Sequence, residues 1–292
     1  MRTFRSAPGY RRVLRHRPAQ ASARSGRPRA KARLVLALVM AGFALVSYFG
    51  SKQYNPVTGE QQYLGLSTHQ EIALGLQAAP EMMRQHGGLH QDQEAQALVA
   101  KVGARLVGRS AAAETDWRYE FHLLADERTV NAFALPGGQV FITAALYQRF
   151  NTEGQLAGVL GHEIGHVIAR HSAQRMAKMQ VTQGLSGAVM VASGDSGYGA
   201  ARIAATIGNL VNMKFGRDDE LQSDRLGVRL MGEAGYDPRA LIEVMEILAD
   251  AGGGRGQTEF FSTHPIPANR VREIETAIAA AYPEGVPEDL VP

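Results

Sequence analysis

The chain contains no cysteine among its 292 residues. Disulfide bonds, thiolate zinc sites, a catalytic cysteine and a lipid-modified cysteine are therefore all excluded. Internal repeats with a period of roughly 20–50 residues are also absent, so no repeat domain is predicted. Apolar residues make up 45% and charged residues 20% of the chain. This balance is typical of a globular core rather than of a disordered chain.

Acidic residues are missing from the first 33 positions, which hold ten arginines and one lysine. The remaining positions carry 20 basic and 28 acidic side chains, so the net charge of +3 hides a basic arm and an acidic remainder. An arginine-rich arm of this kind could bind nucleic acid. We expect no nucleic-acid partner, because an acidic domain and a long apolar segment follow the arm.

Residues 34–50 contain an uncharged apolar run, LVLALVMAGFALVSYF, from Leu34 to Phe49. It is slightly shorter than the roughly 17–25 residues that span a bilayer, and longer than the roughly 7–15 residues of a signal-peptide core. No A-x-A cleavage site follows it. We predict an uncut membrane anchor; a cleaved signal and a buried core helix are the alternatives. The flanking arginines would keep the N-terminus in the cytoplasm, so the following domain would be exported.

The rest of the chain alternates between helical and strand patterns. We divide it into a basic arm (1–33), an anchor or signal segment (34–50), a tether (51–67), a main domain (68–282) and a C-terminal tail (283–292). Helices are predicted from about His69 with Thr68 as cap, over 91–107, from Thr152 to about Met179, over 217–232 and over 238–251. Strands are predicted over 117–123 and on both sides of Pro136-Gly137-Gly138. Residues 183–213, rich in small residues, could form a mobile lid, a membrane-touching loop or a closely packed helix.

The pentapeptide His162-Glu163-Ile164-Gly165-His166 is an H-E-x-x-H motif inside the predicted long helix. Histidines at i and i+4 lie on one face, so both imidazoles can reach one metal ion. Glu163 is turned about 100° away, within reach of a metal-bound water. Zinc lowers the pKa of such a water to about 7, and the glutamate takes its proton. The motif predicts a zinc site with Glu163 as general base; the alternative is a helix with solvated His and Glu.

The third ligand separates the known types of such sites. The metzincin pattern requires glycine and histidine where this chain has Ala169 and Ser172, so that pattern fails. His171 is one position away from it and is predicted to lie on the surface.

A carboxylate from a later helix is the remaining choice, as in His₂Glu zinc peptidases. Glu220 and Asp224 lie one turn apart on one face of a predicted helix. We predict Glu220 as the third ligand and Asp224 as the acceptor for the spare N–H of a ligating histidine. Asp218 or Asp219 could take the place of Glu220, and the segment could also be an ordinary charged helix start.

Five segments together resemble the gluzincin zinc metallopeptidases of family M-48, which include HtpX, the CaaX prenyl endopeptidases and bacterial periplasmic quality-control proteases. These segments are EIALG (Glu71–Gly75), NAFALPGG (Asn131–Gly138), HEIGH, Arg217-x-x-Glu220-x-x-x-Asp224, and Thr263-His264-Pro265 followed by Arg270. The resemblance covers about residues 60–280 and implies that Glu220 is a ligand. Gly216 and Ser223 stand where serine and alanine are usual. We expect an α+β zincin-like fold, mostly helical, with a small sheet packed on the HExxH helix and one zinc ion per chain.

The resemblance is closest to the periplasmic quality-control members, since the chain has one clear membrane segment. It implies a zinc-dependent endopeptidase that cleaves unfolded or misfolded proteins, exported or membrane-associated. We expect it in the bacterial inner membrane with its catalytic domain in the periplasm, or free in the periplasm if the N-terminal segment is cleaved, rather than in the mitochondrial intermembrane space. The oligomeric state stays open. The alternative is a zinc-stabilised chaperone or scaffold that does not cleave, which would need the ligands but not Glu163.

Two further hypotheses concern the substrate. A peptide can bind as an added strand at an exposed sheet edge. The candidate edge is formed by Gly137, Gly138, Gln139, Val140 and Phe141, and a plain structural hairpin is the alternative.

His264 and Arg270 are candidate catalytic residues that could stabilise an oxyanion. His264 could also block the fourth position on the metal in the resting state. The alternative for His264 is a turn residue that precedes Pro265.

Overall fold

Helices dominate the computed structural model, which describes residues 27–193, 214–252, 259–264 and 269–292. The helices are α1 (Arg27–Gly50), α2 (Thr68–Gln85), α3 (Gln93–Gly108), α4 (Ala144–Tyr147), α5 (Glu153–Ile168), α6 (His171–Ser193), α7 (Arg217–Glu233), α8 (Ala240–Ala251), α9 (Glu259–Thr263) and α10 (Arg270–Ala281). The strands are β1 (Lys52–Asn55), β2 (Glu60–Tyr63), β3 (Glu120–Leu124), β4 (Ala132–Ala134) and β5 (Gln139–Thr143). A small three-stranded sheet lies against α5, so the predicted α+β class is confirmed.

Helix α5 is the centre of the domain. The Thr152 side chain caps its first turn by accepting a hydrogen bond from the backbone N–H of Gln155. Every residue from Gly154 to Ile168 is buried, so α5 is packed on all sides. The sheet and α3 cover one part of its surface, while α7 and α8 cover the rest.

The predicted helix from Thr152 to Met179 is interrupted, and this prediction was wrong. Arg170 has a φ of 55° and turns the chain between α5 and α6. The Arg170 guanidinium forms an ion pair with the buried Glu71 carboxylate and donates to the carbonyl of Leu66. These tertiary contacts hold the left-handed backbone that a non-glycine residue otherwise avoids.

Glycines let α5 and α7 cross closely. The Cα of Gly227 lies 3.5 Å from the position that a Cβ at Gly161 would occupy, and the Ser223 carbonyl lies 3.0 Å from that of Gly165. Larger residues at these positions would push the two helices apart. The crossing places the first turns of α7 beside the HEIGH segment of α5.

The sheet has the strand order β3-β5-β4, with β3 parallel and β4 antiparallel to β5. Strand β5 is therefore the central strand, and all five of its residues are buried. The prediction that Gln139, Val140 and Phe141 form an exposed edge was wrong, because β3 and β4 occupy both edges of β5. Within the described residues, β4 pairs with β5 only, so β4 is the free edge.

Gly137 and Gly138 form the predicted turn between β4 and β5, but they are covered rather than open to a substrate. Their φ angles are 85° and 110°, which favour glycine. A Cβ at Gly137 would lie 2.4 Å from the Cα of Ile72 in α2, and one at Gly138 would lie 2.7 Å from the Arg118 carbonyl. The two glycines therefore serve close packing of the turn.

The segment 51–67, predicted as a tether, folds back onto the domain instead. Strands β1 and β2 form an antiparallel hairpin. The Asn55 amide donates to the carbonyl of Ile168 at 2.7 Å, and the Gln62 amide donates to that of Ala169 at 2.9 Å. These bonds satisfy carbonyl groups at the C-terminal end of α5. The cap of α2 is Ser67, one residue before the predicted Thr68.

Helix α1 contains one stretch, Ala30–Gly50, that is long and apolar enough to cross a membrane. Among the described residues, α6 is the segment that packs extensively along α1, and it also accounts for residues 183–193 of the small-residue region. Residues 194–213, the basic arm as far as residue 26, and Pro265 lie outside the described residues. The tail after Tyr282 has no long element but joins the domain through a bridge between Val291 and Tyr236. The division into five segments stays a prediction.

The α5–α7 crossing can be tested with two glycine substitutions on one helix. A methyl group at Gly165 would crowd Ser223 at 3.0 Å, whereas at Gly161 its nearest contact would be 3.5 Å. Both changes gain a similar helix propensity, about 1 kcal/mol, so their difference isolates the crowding. We expect Gly165→Ala to be about 1–2 kcal/mol less stable than Gly161→Ala in urea unfolding of the full chain in detergent. Equal stabilities would show that the crossing has room for a side chain.

Candidate metal centre

Two helices and the end of a third, short helix bring four possible metal ligands together. His162 and His166 lie one turn apart on α5, Glu220 lies in the first turn of α7, and His264 directly follows α9. All four side chains are buried, with exposures of 3% or less. Their ligand atoms lie within 4.8 Å of one another.

Most of the separations between these ligand atoms are close to those expected around one metal ion. The two Nε2 atoms of His162 and His166 are 3.1 Å apart, and each lies 3.4–3.5 Å from a Glu220 oxygen. The Nδ1 atom of His264 lies 3.4 Å from His162 Nε2 and 3.2 Å from Glu220 Oε1. Metal–ligand bonds of about 2.0–2.1 Å in tetrahedral geometry require edges of about 3.3 Å. The four side chains therefore fit a metal ion.

A carboxylate fixes the orientation of the His162 ring. Asp224 lies one turn after Glu220 and accepts from His162 Nδ1 at 2.9 Å, which leaves Nε2 with a free lone pair. The buried Arg270 guanidinium donates to both Asp224 oxygens, at 2.7 and 2.8 Å. Burial and Arg270 lower the pKa of His162, but hydrogen bonds with Asp224 and Glu220 outweigh them and raise it to about 9.

His171 fixes the orientation of the His166 ring, as Asp224 does for His162. His171 is buried, so the prediction that it lies on the surface was wrong. Its Nδ1 lies 2.8 Å from Nδ1 of His166, and its Nε2 lies 2.8 Å from the side-chain oxygen of Gln222. Both contacts are satisfied if His166 donates through Nδ1 and His171 donates to Gln222. His166 Nε2 then has a free lone pair directed at the other ligands.

Several buried polar atoms at this site lack a hydrogen-bond partner within the described part of the chain. They are both oxygens of Glu163, Oε2 of Glu220, Nε2 of His264 and Nη1 of Arg270. Although burial opposes it, the charges and hydrogen bonds of His264 and His162 hold the pKa of Glu220 well below its usual range. Burial lowers the pKa of His166 well below its usual range. A charged Glu220 and a neutral His166 are the forms that bind a metal ion.

Glu163 lies beside the four ligands without joining them. Its Oε1 is 3.6 Å from Nε2 of His264, and its side chain is fully buried. Burial raises the pKa of the Glu163 carboxyl above its usual value. A carboxylate with a raised pKa and two unpaired oxygens can accept a proton from a reacting molecule.

Two aromatic rings that the sequence analysis did not single out form the wall of the site. Phe215 stacks on His166 with a centroid distance of 4.0 Å, and Phe260 stacks on His264 at 4.5 Å. Phe260 and His264 are four residues apart, and the His264 N–H donates to the Phe260 carbonyl. The i, i+4 spacing of an aromatic residue and the histidine is the signal that could have identified this pair.

A cleft of about 330 Å³ leads to His264. It runs along the residues of β4 and its flanks, including Asn131, Phe133 and Ala134. Phe215 and Thr263 also line it. The cleft thus connects the β4 edge of the sheet with His264, one of the four buried ligand groups.

The structure does not bring all predicted site residues to the ligands. Asp219 accepts from the Gly216 N–H and pairs with Arg175, so it serves the start of α7. Arg270, by contrast, does reach the ligands: it holds Asp224 through Nε and Nη2, and its Nη1 lies 3.3 Å from Glu220 Oε2. Its role as an oxyanion donor stays a prediction. The predicted substrate residues of β5 are buried in the sheet.

Comparison with known proteins identifies peptidases as relatives of this chain, in agreement with the geometry of the metal centre. The model of a family described as Peptidase family M48 matches residues 93–278, which include all the residues of the metal centre. The mitochondrial metalloendopeptidase OMA1 of Schizosaccharomyces pombe is 31% identical over 79% of this chain and 67% of its own length. The beta-barrel assembly-enhancing protease of Escherichia coli K12 is 28% identical over 83% of this chain and 51% of its own. The metalloprotease YcaL of the same organism is 31% identical over 57% of this chain and 64% of its own.

The chain spans about half the length of the beta-barrel assembly-enhancing protease that it matches. The family match covers more than half of this chain. This match agrees with the resemblance to family M-48 that the sequence motifs indicate. The chain therefore belongs to peptidase family M48 and is, by family, a metalloendopeptidase.

Proposed function

We propose that this protein is a zinc-dependent endopeptidase whose zinc ion is held by His162, His166 and Glu220. The observation that carries the proposal is a buried group of four ligand side chains, with ligand atoms within 4.8 Å of one another, next to a glutamate without a hydrogen-bond partner. Two nitrogens and a carboxylate are a ligand set that zinc prefers in peptidases. When bound, zinc supplies a Lewis acid that polarises a peptide carbonyl and acidifies water.

Glu163 is the general base of the proposed reaction. It accepts a proton from the attacking water and passes it to the nitrogen of the leaving amine. Neither of its oxygens has a hydrogen-bond partner, so both can accept this proton. The raised pKa of Glu163 lowers the free-energy cost of moving a proton from water to its carboxylate. The rival function, a zinc-stabilised scaffold without cleavage, has no use for a buried carboxylate without a partner, which costs stability.

The substrate backbone is proposed to bind at the edge of β4 rather than of β5. The Thr143 N–H of β5 donates to the Asn131 carbonyl, and the Leu135 N–H donates to the Gln139 carbonyl of β5. The backbone groups of Asn131 and Leu135, which flank β4, therefore point towards β5. In an antiparallel pair the intervening residues, Ala132 and Ala134, direct their peptide groups away from β5. An extended peptide can pair with these groups along the cleft that leads to the metal centre.

His264 is proposed to block the site in the resting state. Its Nδ1 completes the tetrahedron, at the position that a catalytic zinc keeps for water. Cleavage then requires His264 to move away, after which its imidazole is placed to donate to a developing oxyanion near Glu163.

The proposed location is the bacterial inner membrane, with α1 as anchor and the catalytic domain in the periplasm. The apolar α1 and the arginines before it support this orientation. The relatives named as beta-barrel assembly-enhancing proteases support a role in the quality control of exported proteins. Unfolded or misfolded proteins, exported or membrane-associated, are the proposed substrates.

Replacing Glu163 with glutamine tests the proposed mechanism. The amide keeps the shape of the side chain but cannot accept the proton. We expect the Glu163→Gln protein to retain about one zinc per chain and to lose cleavage of casein by at least about 10³-fold, because base and metal act as a unit. Metal content is measured by mass spectrometry and cleavage by peptide release.

The matched control is Glu153→Gln, at the start of the same helix, where Glu153 forms an ion pair with Lys101 on the surface. It should leave cleavage unchanged. Normal cleavage by Glu163→Gln would exclude the proposed base.

Replacing His264 with alanine separates its two possible roles. If His264 blocks the metal in the resting state, His264→Ala should raise basal cleavage. If it only stabilises the oxyanion, kcat should fall by about 10²–10³-fold. His69→Ala, at an exposed position of α2, is the control. If His264→Ala changes neither cleavage nor zinc affinity, both roles are excluded.

Replacing His171 with alanine tests the fixation of the His166 ring. Removal of the partner of a ligating imidazole typically costs 10–100-fold in metal affinity, and we expect His171→Ala to weaken zinc binding by about that factor. Zinc affinity is measured by competition with a fluorescent chelator. His122→Ala, at a histidine that bonds to Gln139 away from the ligands, is the control. Unchanged zinc affinity in His171→Ala would mean that the contact does not support His166.

A further inference from the structure

Helix α6 consists of two chemically different halves. The first half begins at the metal centre with His171 and carries Arg175 and Lys178. From Met179 to Ser193 the helix contains no charged residue. A charge-free stretch of this length on an exposed helix is unusual for a water-facing surface.

The uncharged half of α6 packs in antiparallel fashion along α1. A methyl group at Gly184 would lie 2.8 Å from Cβ of Ala44, and one at Gly187 would lie 3.7 Å from the end of the Met40 side chain. Position numbers rise along α6 while they fall along α1. Small residues on both helices allow the close approach, as they do between membrane helices.

The rest of the α1 surface is apolar and exposed. Val39 is 62%, Phe43 is 74% and Val46 is 73% exposed. If α1 is the membrane anchor, as proposed above, lipid covers these side chains. The residues of α6 that touch Met40 and Ala44 must then lie at the same depth in the bilayer.

The exposed positions of this half of α6, which include Thr182, Gln183, Ser186 and Val189, are all uncharged. Val189 is 69% exposed and apolar. The Thr182 hydroxyl donates to the Lys178 carbonyl one turn earlier, so it needs no water. The backbone groups are satisfied within the helix, which is the condition for entering hydrocarbon.

An aromatic cluster marks where the two helices leave the membrane. Tyr48 stacks on Tyr63 with a centroid distance of 4.9 Å, and Phe49 packs edge-on against Tyr63. Aromatic residues of this kind gather at the boundary between lipid and water. Gly65, just beyond the cluster, faces Gln180 of α6. The boundary therefore falls near Gln180, directly after the last charged residue of α6, Lys178.

We propose that Val181–Ala192 of α6 lies in the bilayer beside α1 as a second membrane-embedded helical segment, and that this segment fixes the metal centre close to the membrane surface. The proposal rests on the membrane anchoring of α1 in the proposed function. Gln180 is nine positions after His171, so the Cα of His171, whose ring contacts the ligand His166, lies at most about 14 Å above the boundary. This distance corresponds to about four residues of extended chain. The favoured substrates are polypeptide segments that emerge from, or lie on, the membrane.

The absence of cysteine from the chain allows a direct test in membranes. Single cysteines are introduced as Val189→Cys on α6, Val39→Cys on α1 and Leu76→Cys on α2, at three exposed apolar positions. Membranes opened to both sides are treated with a membrane-impermeant maleimide, which reacts with the thiolate form. We expect Val189→Cys and Val39→Cys to react at least about tenfold more slowly than Leu76→Cys, because lipid suppresses ionisation of the thiol. All three should react fully after denaturation in SDS.

The outcomes separate the two proposals. If Val189→Cys reacts as fast as Leu76→Cys while Val39→Cys stays protected, α6 lies outside the bilayer and only this inference fails. If Val39→Cys also reacts fast, α1 is not embedded and both the anchoring and this inference fail. Neither result depends on enzymatic activity.

A second measurement distinguishes lipid from a protein cover at Val189. A spin label attached to Val189→Cys should be accessible to oxygen, which dissolves in lipid, but not to a water-soluble nickel chelate. Access to neither reagent would show that protein covers the position, and would overturn the proposal.

Discussion

Lone pairs that face one another in a buried space are the constraint on which this structure depends. The Nε2 atoms of His162 and His166 lie 3.1 Å apart, and Glu220 oxygens lie 3.4–3.5 Å from them. Asp224 and His171 take up the other ring nitrogens, so the neutral, metal-binding form of each ring directs the Nε2 lone pair at the other ligands. Such an arrangement is repulsive unless a cation lies among the ligands, and the close α5–α7 crossing leaves the side chains little room to separate.

The charges around the metal centre also favour a cation among the ligands. Three buried carboxylates, those of Glu163, Glu220 and Asp224, surround the ligands, and the Arg270 guanidinium lies among them. The single guanidinium of Arg270 contacts both Asp224 and Glu220, so the ionised forms of the three carboxylates would exceed it by two negative charges. A divalent cation would neutralise that excess, and burial of uncompensated charge is otherwise expensive. The raised pKa of Glu163 has the same origin, because desolvation favours its neutral form.

Short-range sequence patterns predicted the residues of the metal centre, whereas the long-range topology of the fold could not be predicted from the sequence. The spacing of His162, His166, Glu220 and Asp224 follows from helix geometry, so the residues that meet could be named in advance. The order of the sheet could not be predicted, because nothing in the β4–β5 hairpin shows that β3 pairs with the far side of β5. The break at Arg170 depends on Glu71, 99 residues earlier, and it carries His171 from an expected surface position into the site.

The four ligand groups are held by different kinds of structural element. His264, which follows a short helix, is the ligand that also lines the cleft. Helices α5 and α7 fix three of them through a glycine-lined crossing, while His264 follows the five-residue α9. Helix α9 is held by the Phe260 N–H bond to Val130 and by the Phe215 N–H bond to the Thr263 carbonyl. Val130 lies two residues before β4, whose free edge lines the cleft. The chain around β4 therefore anchors the helix that carries His264, so a peptide bound at the β4 edge, as proposed above, would contact the segment that holds this ligand.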